Sequence, residues 1–192
     1  MATTSRSDQT RAAILRAARE RFAAHGYELT TIRAVAADAS IDPSMVMRYF
    51  GSKQGLFDAA LAAAQDAPEV DLYLPDLTAV PADQLAETLV RHFVQRWEGD
   101  PVDDALLVLL RSAVTNEQAA TRMREIFVTQ VFPALAAVLG PERAAGVAGL
   151  IASQLLGLAL TRYLLRLPPV TALDRAALIA AYAPAVAAVL RA

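Results

Sequence analysis

TTIRAVAADASIDPSMVMRYFGSK, residues 30–53, decides how this chain is read. It divides into two short helical patterns joined by a tight turn. Ile32, Val35 and Ala36 put apolar atoms on one side of the first helix, and Thr31 is placed to cap its start. Ala39-Ser40-Ile41 is too short for anything but a turn. Asp42 then supplies an N-cap and Pro43 suits the first helical position, so a second helix starts there. Val46 and Phe50, four residues apart, share one face. Ser44, Met45, Met47, Arg48 and Tyr49 are left on or beside the other, where a helix lying in a major groove presents its side chains. Arg33, Arg48 and the lone lysine Lys53 add positive charge, and Tyr49 beside Arg48 suits phosphate contact. An αα-hairpin whose polar face meets only water has the same outline.

Charge separates these two readings. The net charge of −2 is wrong for a DNA binder until the chain is divided. Residues 1–53 hold eight Arg and Lys against five Asp and Glu, whereas residues 54–192 hold ten against fifteen. Positive charge is therefore concentrated in the segment that carries the helix-turn-helix, as binding to phosphates requires. The acidic remainder discourages non-specific association with nucleic acid.

Outside this stretch the pattern is helical almost throughout, and 55% apolar residues are enough for a substantial core. Ile14, Ala18 and Phe22 recur at four-residue spacing in a first helix from residue 7 or 8 to about 24, which Gly26 ends. Leu56, Phe57, Ala60 and Leu61 mark a fourth helix, 53–65. Pro68, Pro75 and Pro81 break the pattern over 67–81, the expected linker. Helices are then predicted over 82–98, 102–114, 116–139 (kinked or split by Pro133), 141–167 (closed by Pro168-Pro169) and 173–190. The apolar run 146–160 is about fifteen residues and contains Ser153 and Gln154. A membrane span needs roughly twenty apolar residues, so a buried helix is expected there. There is no cysteine, hence no disulfide or thiolate metal site, and residues 1–7 lack the apolar core of a signal peptide. A cytoplasmic protein is the expectation.

The run Phe22-Ala23-Ala24-His25-Gly26-Tyr27-Glu28-Leu29-Thr30-Thr31, followed by the turn, Tyr49-Phe50 and Ser52-Lys53-Gln54-Gly55-Leu56, resembles the amino-terminal domain of TetR/AcrR-type transcriptional repressors. The likeness holds one register over residues 8–64. Two departures stand out: Ser40 occupies the usual turn glycine, and Met47 the position of a frequent aromatic. The resemblance implies an all-α fold of about nine helices. Its parts are a helix-turn-helix DNA-binding domain at 8–66 and an effector-binding and dimerisation domain at 67–192. It further implies a homodimer on an inverted-repeat operator, released by a small, largely apolar effector. Arg33, Pro43, Ser44, Met45, Met47 and Arg48 would lie nearest bases or sugars, with Tyr49 and Lys53 on phosphates and Thr31 also among the DNA-binding residues.

Two features of the second half bear on those expectations. Gly146, Gly149, Ser153, Gly157 and Thr161 line one face of the helix over 141–167 with small residues, and the last helix offers Ala177, Ala181, Ala185 and Ala188. Interior glycine costs about 1 kcal/mol relative to alanine, so a stripe of it points to a close helix contact. That contact lies either between these two helices of one chain or, as the resemblance implies, across a dimer. Phe93, Trp97, Met123, Phe127 and Tyr163, with the embedded polar groups Arg111, Gln154 and Arg162, are the residue types that line an organic-ligand pocket. Neither His25 nor His92 has carboxylate or histidine partners at metal-ligand spacing. No nucleophile elbow, phosphate-cradling loop or HExxH pattern occurs, so neither a cofactor nor an enzyme is expected. The alternative from another class is a helical protein-interaction module without DNA binding. A ligand-carrying or enzymatic bundle is weaker still.

Overall fold

The computed structural model describes residues 6–62, 70–99 and 105–192, and every regular element among them is helical. In order these are α1 (Arg6–Leu29), α2 (Ile32–Asp38), α3 (Pro43–Phe50), α4 (Lys53–Ala62), α5 (Leu85–Trp97), α6 (Ala105–Ser112), α7 (Glu117–Ile126), α8 (Phe132–Leu139), α9 (Pro141–Ala159), α10 (Pro168–Thr171) and α11 (Arg175–Arg191). A 3₁₀ turn covers Leu77–Ala79, and π-helical turns cover Phe127–Val131 and Leu160–Leu164. The expected nine helices are recovered when α7 and α8 are taken as one rod and the one-turn α10 is set aside. The expected end of the fourth helix, at 63–65, lies outside the described residues, as does the start of the sixth at 102–104.

Packing divides the chain into two compact units. The first contains α1 to α4 together with α6 and most of α7, up to Met123. Its spine is α1, whose Ile14, Ala18 and Phe22 are fully buried at the predicted spacing. Val35 and Ala36 of α2, Val46 of α3, Leu56 and Phe57 of α4 and Leu109 of α6 complete the core. Phe22 meets Phe57 edge-on with centroids 4.9 Å apart, and the Arg19 Nε donates to the Ala60 carbonyl at 3.0 Å, fixing α4 along α1.

The regular helix of α1 breaks at Gly26, where φ is 73° and ψ is 179°. That conformation is essentially confined to glycine, because a Cβ would collide with the backbone. The Thr30 hydroxyl closes the break by donating to the Gly26 carbonyl at 2.8 Å. Thr31 then caps α2, its Oγ1 accepting from the Ala34 amide at 3.2 Å. The turn residue Ser40 has φ 56°, so the position where relatives of this motif carry glycine is left-handed here with serine in it. Asp42 accepts from the Ser44 amide at 2.8 Å with Pro43 in the first turn, as its N-cap reading requires.

The second unit comprises residues 71–99 and 124–192 within the described range. Leu89, Val90 and Val94 of α5 pack with Leu135 of α8, Val147, Ile151 and Leu158 of α9, and Leu178 and Val186 of α11. Pro133 splits the seventh predicted helix as expected. It lacks the amide that would bond the Thr129 carbonyl, and the backbone widens into a π turn just before it. Two expectations are corrected. Pro168 does not merely close the preceding helix; its fixed φ starts α10. The segment after Val70 is not a free linker but is held to the second unit. The Leu72 amide donates to Gln130 Oε1 at 2.7 Å, His92 Nε2 lies 2.8 Å from the Leu72 carbonyl, and Leu77 is buried.

The helix from Pro141 through Leu164 runs 24 residues, and an 18-residue window within it has a mean hydropathy of 1.7, so length and composition alone do not exclude a membrane span. Its apolar stripe of Val147, Ile151, Leu155 and Leu158 is spent on the second unit's core, but only 39% of that window is buried, so the helix buries one face and is not the fully buried helix expected from sequence.

Gly26→Ala should cost about 1–3 kcal/mol, the price of holding a side chain in this glycine region. The Arg111 Cγ, 3.3 Å from where the new Cβ would stand, leaves little room for relief. Urea denaturation measures the change, and an unaltered midpoint would contradict the assigned backbone.

Candidate nucleic-acid interface

α3 is amphipathic over only two turns, and its faces are cleanly divided. Val46 is fully buried and Phe50 half-buried, while Ser44, Met47 and Arg48 are exposed and Pro43, Met45 and Tyr49 are half-buried. Arg33 and the capping Thr31 of α2 are exposed as well. These residues, predicted to meet DNA, therefore share one side of the helix-turn-helix or its rim. Met47 is 45% exposed on this face.

Three contacts hold this surface. The Tyr49 hydroxyl lies 3.0 Å from Ser7 Oγ, pinning the end of α3 to the start of α1. The Arg11 guanidinium covers the Phe50 ring at 5.6 Å. The Lys53 Nζ donates to the Glu28 carbonyl at 3.1 Å and stands 4.4 Å from the Tyr27 ring centroid. On the adjoining face Arg21 pairs with Asp38, and hydrogen bonding from the guanidinium lowers the carboxyl's pKa. Hydrogen bonding from the Ser44 side chain, and then the capping bond from its amide, likewise lower that of Asp42. Tyr27 was not singled out by sequence pattern, because its partner lies in another helix.

The residues predicted to meet an effector are distributed between the units. Arg111 and Met123 belong to the first, and the Arg111 side chain lies against Gly26. In the second, Phe93, Trp97 and Tyr163 form an aromatic row, with centroids 5.7 Å and 5.3 Å apart and the last pair parallel. Phe127 packs on that unit's core. Arg162 is engaged in holding the fold. Its Nε and Nη2 reach Glu98 Oε1, both at 2.9 Å, and its Nη1 donates to the Val170 and Leu173 carbonyls at 2.6 and 3.0 Å. Glu98, which the sequence reading passed over, also accepts from Tyr163 at 3.3 Å and from Arg175 at 3.2 Å. Arg111 Nε, Ser112 Oγ and Gln154 Oε1 are buried with no hydrogen-bond partner among the described residues. Arg111 and Gln154 are two of the three polar groups picked out from sequence for ligand contact.

The small-residue faces are open. A Cβ added at Gly146, Gly149 or Gly157 would meet nothing within 4 Å, and Ser153, Ala181 and Ala185 are exposed, with Ala177 half-buried. The two stripes are thus not packed against each other within one chain, the first of the two arrangements open from sequence. Leu150 and Leu160 flank the glycines and are 55% and 40% exposed.

Comparison with known proteins gives this geometry a family. The model described as "Bacterial regulatory proteins, tetR family" matches residues 14–60, and "Tetracyclin repressor-like, C-terminal domain" matches residues 83–190. The chain belongs to the TetR family of transcriptional regulators. Among solved structures it is similar to a TetR-family regulator from Streptomyces coelicolor A3, with 29% identity over 96% of each chain and a TM-score of 0.59. It shares its fold with a TetR-like transcriptional regulator from Rhodococcus sp. RHA1, at 15% identity over 95% of this chain and 93% of that one, TM-score 0.65. The same holds for the multidrug binding protein EbrR complexed with imidazole, at 23% identity over 92% and 89% of the two chains, TM-score 0.62. A search of curated proteins finds no match.

The Tyr163 phenol is pushed well above its ordinary pKa of 10.0, first by burial and then by the Glu98 charge. The folded protein thus keeps this phenol neutral where the unfolded chain ionises it. Its contribution to stability is present below about pH 10 and is lost as pH rises above that value. Tyr163→Phe should therefore lose less stability than wild type between about pH 9 and about pH 11 in urea titrations. Parallel losses in both proteins would refute the assignment.

Proposed function

We propose that this TetR-family regulator is a homodimeric DNA-binding repressor, released from an inverted-repeat operator by a small, largely apolar effector. The observation that carries the DNA reading is α3, whose exposed face of Ser44, Met47 and Arg48 lies opposite the buried Val46. Arg33, Arg48 and Lys53 supply the positive charge. In this reading Lys53 and Tyr49 position the protein on phosphates, and Arg33, Pro43, Ser44, Met45, Met47 and Arg48, with Thr31 beside them, lie closest to bases and sugars. Residues 8–66 act as the DNA-binding module and 67–192 as the effector and dimerisation module, in the cytoplasm.

The open glycine and alanine faces of α9 and α11 support dimerisation, since they leave room for the close approach of a second pair of helices. Within the second unit, the aromatic row of Phe93, Trp97 and Tyr163 beside Glu98 and the buried Gln154 Oε1 support an effector that supplies apolar surface and a few hydrogen bonds. Reversing a 99:1 preference for the DNA-bound state takes about 5.5 kcal/mol of differential affinity, which such a ligand must provide.

The DNA reading is tested on a duplex enriched by the wild-type protein from random sequence. Lys53→Ala should weaken binding similarly on all duplexes and lower the slope of log K against log salt by about one unit. Arg48→Ala should weaken binding and relax discrimination. Unchanged affinity in both variants would remove the helix-turn-helix assignment and leave the helical interaction module in its place.

For assembly, Gly157→Leu should disfavour the close contact by about 1–3 kcal/mol of overpacking, read as a weaker dimer in sedimentation. The chain itself should stay folded, because that glycine faces open space within the protomer. A wild-type protein that sediments as a folded monomer at micromolar concentration would sink the dimer.

A further inference from the structure

Of the 18 Lys and Arg residues in this chain, Lys53 is the one lysine. Everywhere else a positive charge is carried by arginine. The exception stands at the first residue of α4, in a site made by two neighbours in sequence, Tyr27 and Glu28. The ammonium is 4.4 Å from the ring centroid of the first and 3.1 Å from the carbonyl oxygen of the second.

The site is rigid on the side opposite the lysine. The Tyr27 ring is parallel to Phe22 at 6.1 Å and meets Phe57 edge-on at 5.1 Å. The Gly26 break turns the chain so that the ring joins this cluster, and Glu28 follows in the last turn, where carbonyls lack an intrahelical donor. An ammonium is a compact charge with three donors on one atom. One bonds the Glu28 carbonyl, the charge sits over the ring, and a donor is left pointing away from both. A guanidinium spreads its charge over a plane and stacks flat on rings, so it cannot satisfy the same two neighbours from the same point.

We propose that the Tyr27 ring and the Glu28 carbonyl form a saddle selective for an ammonium, making Tyr27 a positioning residue for the phosphate contact of Lys53. The inference rests on the DNA-binding reading for its function, though not for its geometry. A preplaced ammonium loses less freedom on meeting a phosphate than one on a free stem, so the saddle raises affinity without touching DNA.

The test uses the full-length protein and the duplex it enriches. Tyr27→Leu should weaken binding about 2- to 5-fold, the worth of an exposed cation–π contact, and reduce the salt slope toward that of Lys53→Ala. Tyr27→Phe, which keeps the ring face, should restore the wild-type slope. Lys53→Arg should fall short of wild type, and Tyr27→Leu should add no further loss in a Lys53→Ala background. A purely structural tyrosine predicts a lower melting temperature, an unchanged slope and the same fold-loss in both backgrounds; that result overturns the proposal. Should Tyr27→Leu fail to fold, proton NMR of the wild type decides it. The ε-methylene signal of the single lysine is then shifted upfield by the ring, and a position typical of an unstructured lysine overturns the saddle. A wild type that enriches no duplex would refute the DNA reading, while the NMR shift still decides the saddle.

Discussion

The break in α1 at Gly26 is the constraint on which the helix-turn-helix unit depends. A straight continuation of the helix would carry Tyr27 away from Phe22 and Phe57. With φ at 73° and ψ at 179° the chain instead turns, and Thr30 seals the turn through the Gly26 carbonyl. Thr31 can then cap α2, and the α2–α3 turn follows with Ser40 in a left-handed conformation. Each step sets the position of α3, and each is a local hydrogen bond or a steric rule. The same break gives the Arg111 stem of α6 a surface without a Cβ to lie on. One glycine therefore governs how α1, α4 and α6 come together.

Sequence carried the helix-turn-helix almost to the residue, because caps and turn residues act over three or four positions. Thr31, Asp42, Pro43 and the buried Val46 all perform the roles that their chemistry implies. Pro133 was legible for the same reason, its missing amide opening a π turn in its own helix. What was hidden involves partners far apart in the chain. Glu98 reads as an ordinary acidic residue at a helix end, yet it gathers Arg162, Tyr163 and Arg175 from more than sixty residues away. Residues 70–81 look like a linker by their prolines, and only the Leu72 contacts with Gln130 and His92 show them pinned. Periodicity likewise gives no hint that α6 packs with α1 rather than with its sequence neighbour α5. Of the residues picked out for ligand contact, Arg162 is committed to Glu98 and two backbone carbonyls. Arg111 and Gln154 each keep a polar atom without a partner among the described residues.

The two units show different kinds of unfinished business. In the first, Met47 and Arg48 are exposed on α3 and the Lys53 ammonium at the start of α4 keeps a donor beyond Tyr27 and Glu28, groups whose charge would complement phosphates. In the second, glycines in the middle of α9 face empty space, although interior glycine weakens a helix. Under the proposed function both become economical in a complex, the first with DNA and the second with another copy of the chain. A regulator that reads a symmetric site as a dimer requires the two together, since the dimer sets the distance between recognition helices.

Selection of bound sites from a pool of random duplexes, followed by footprinting of the winners, tests that account most directly. It predicts an inverted repeat whose half-sites are about one helical turn or a small multiple of it apart, protected on the same face, with affinity falling linearly in log salt. A pool that shows no enriched sequence, or enriched single half-sites without symmetry, would contradict it.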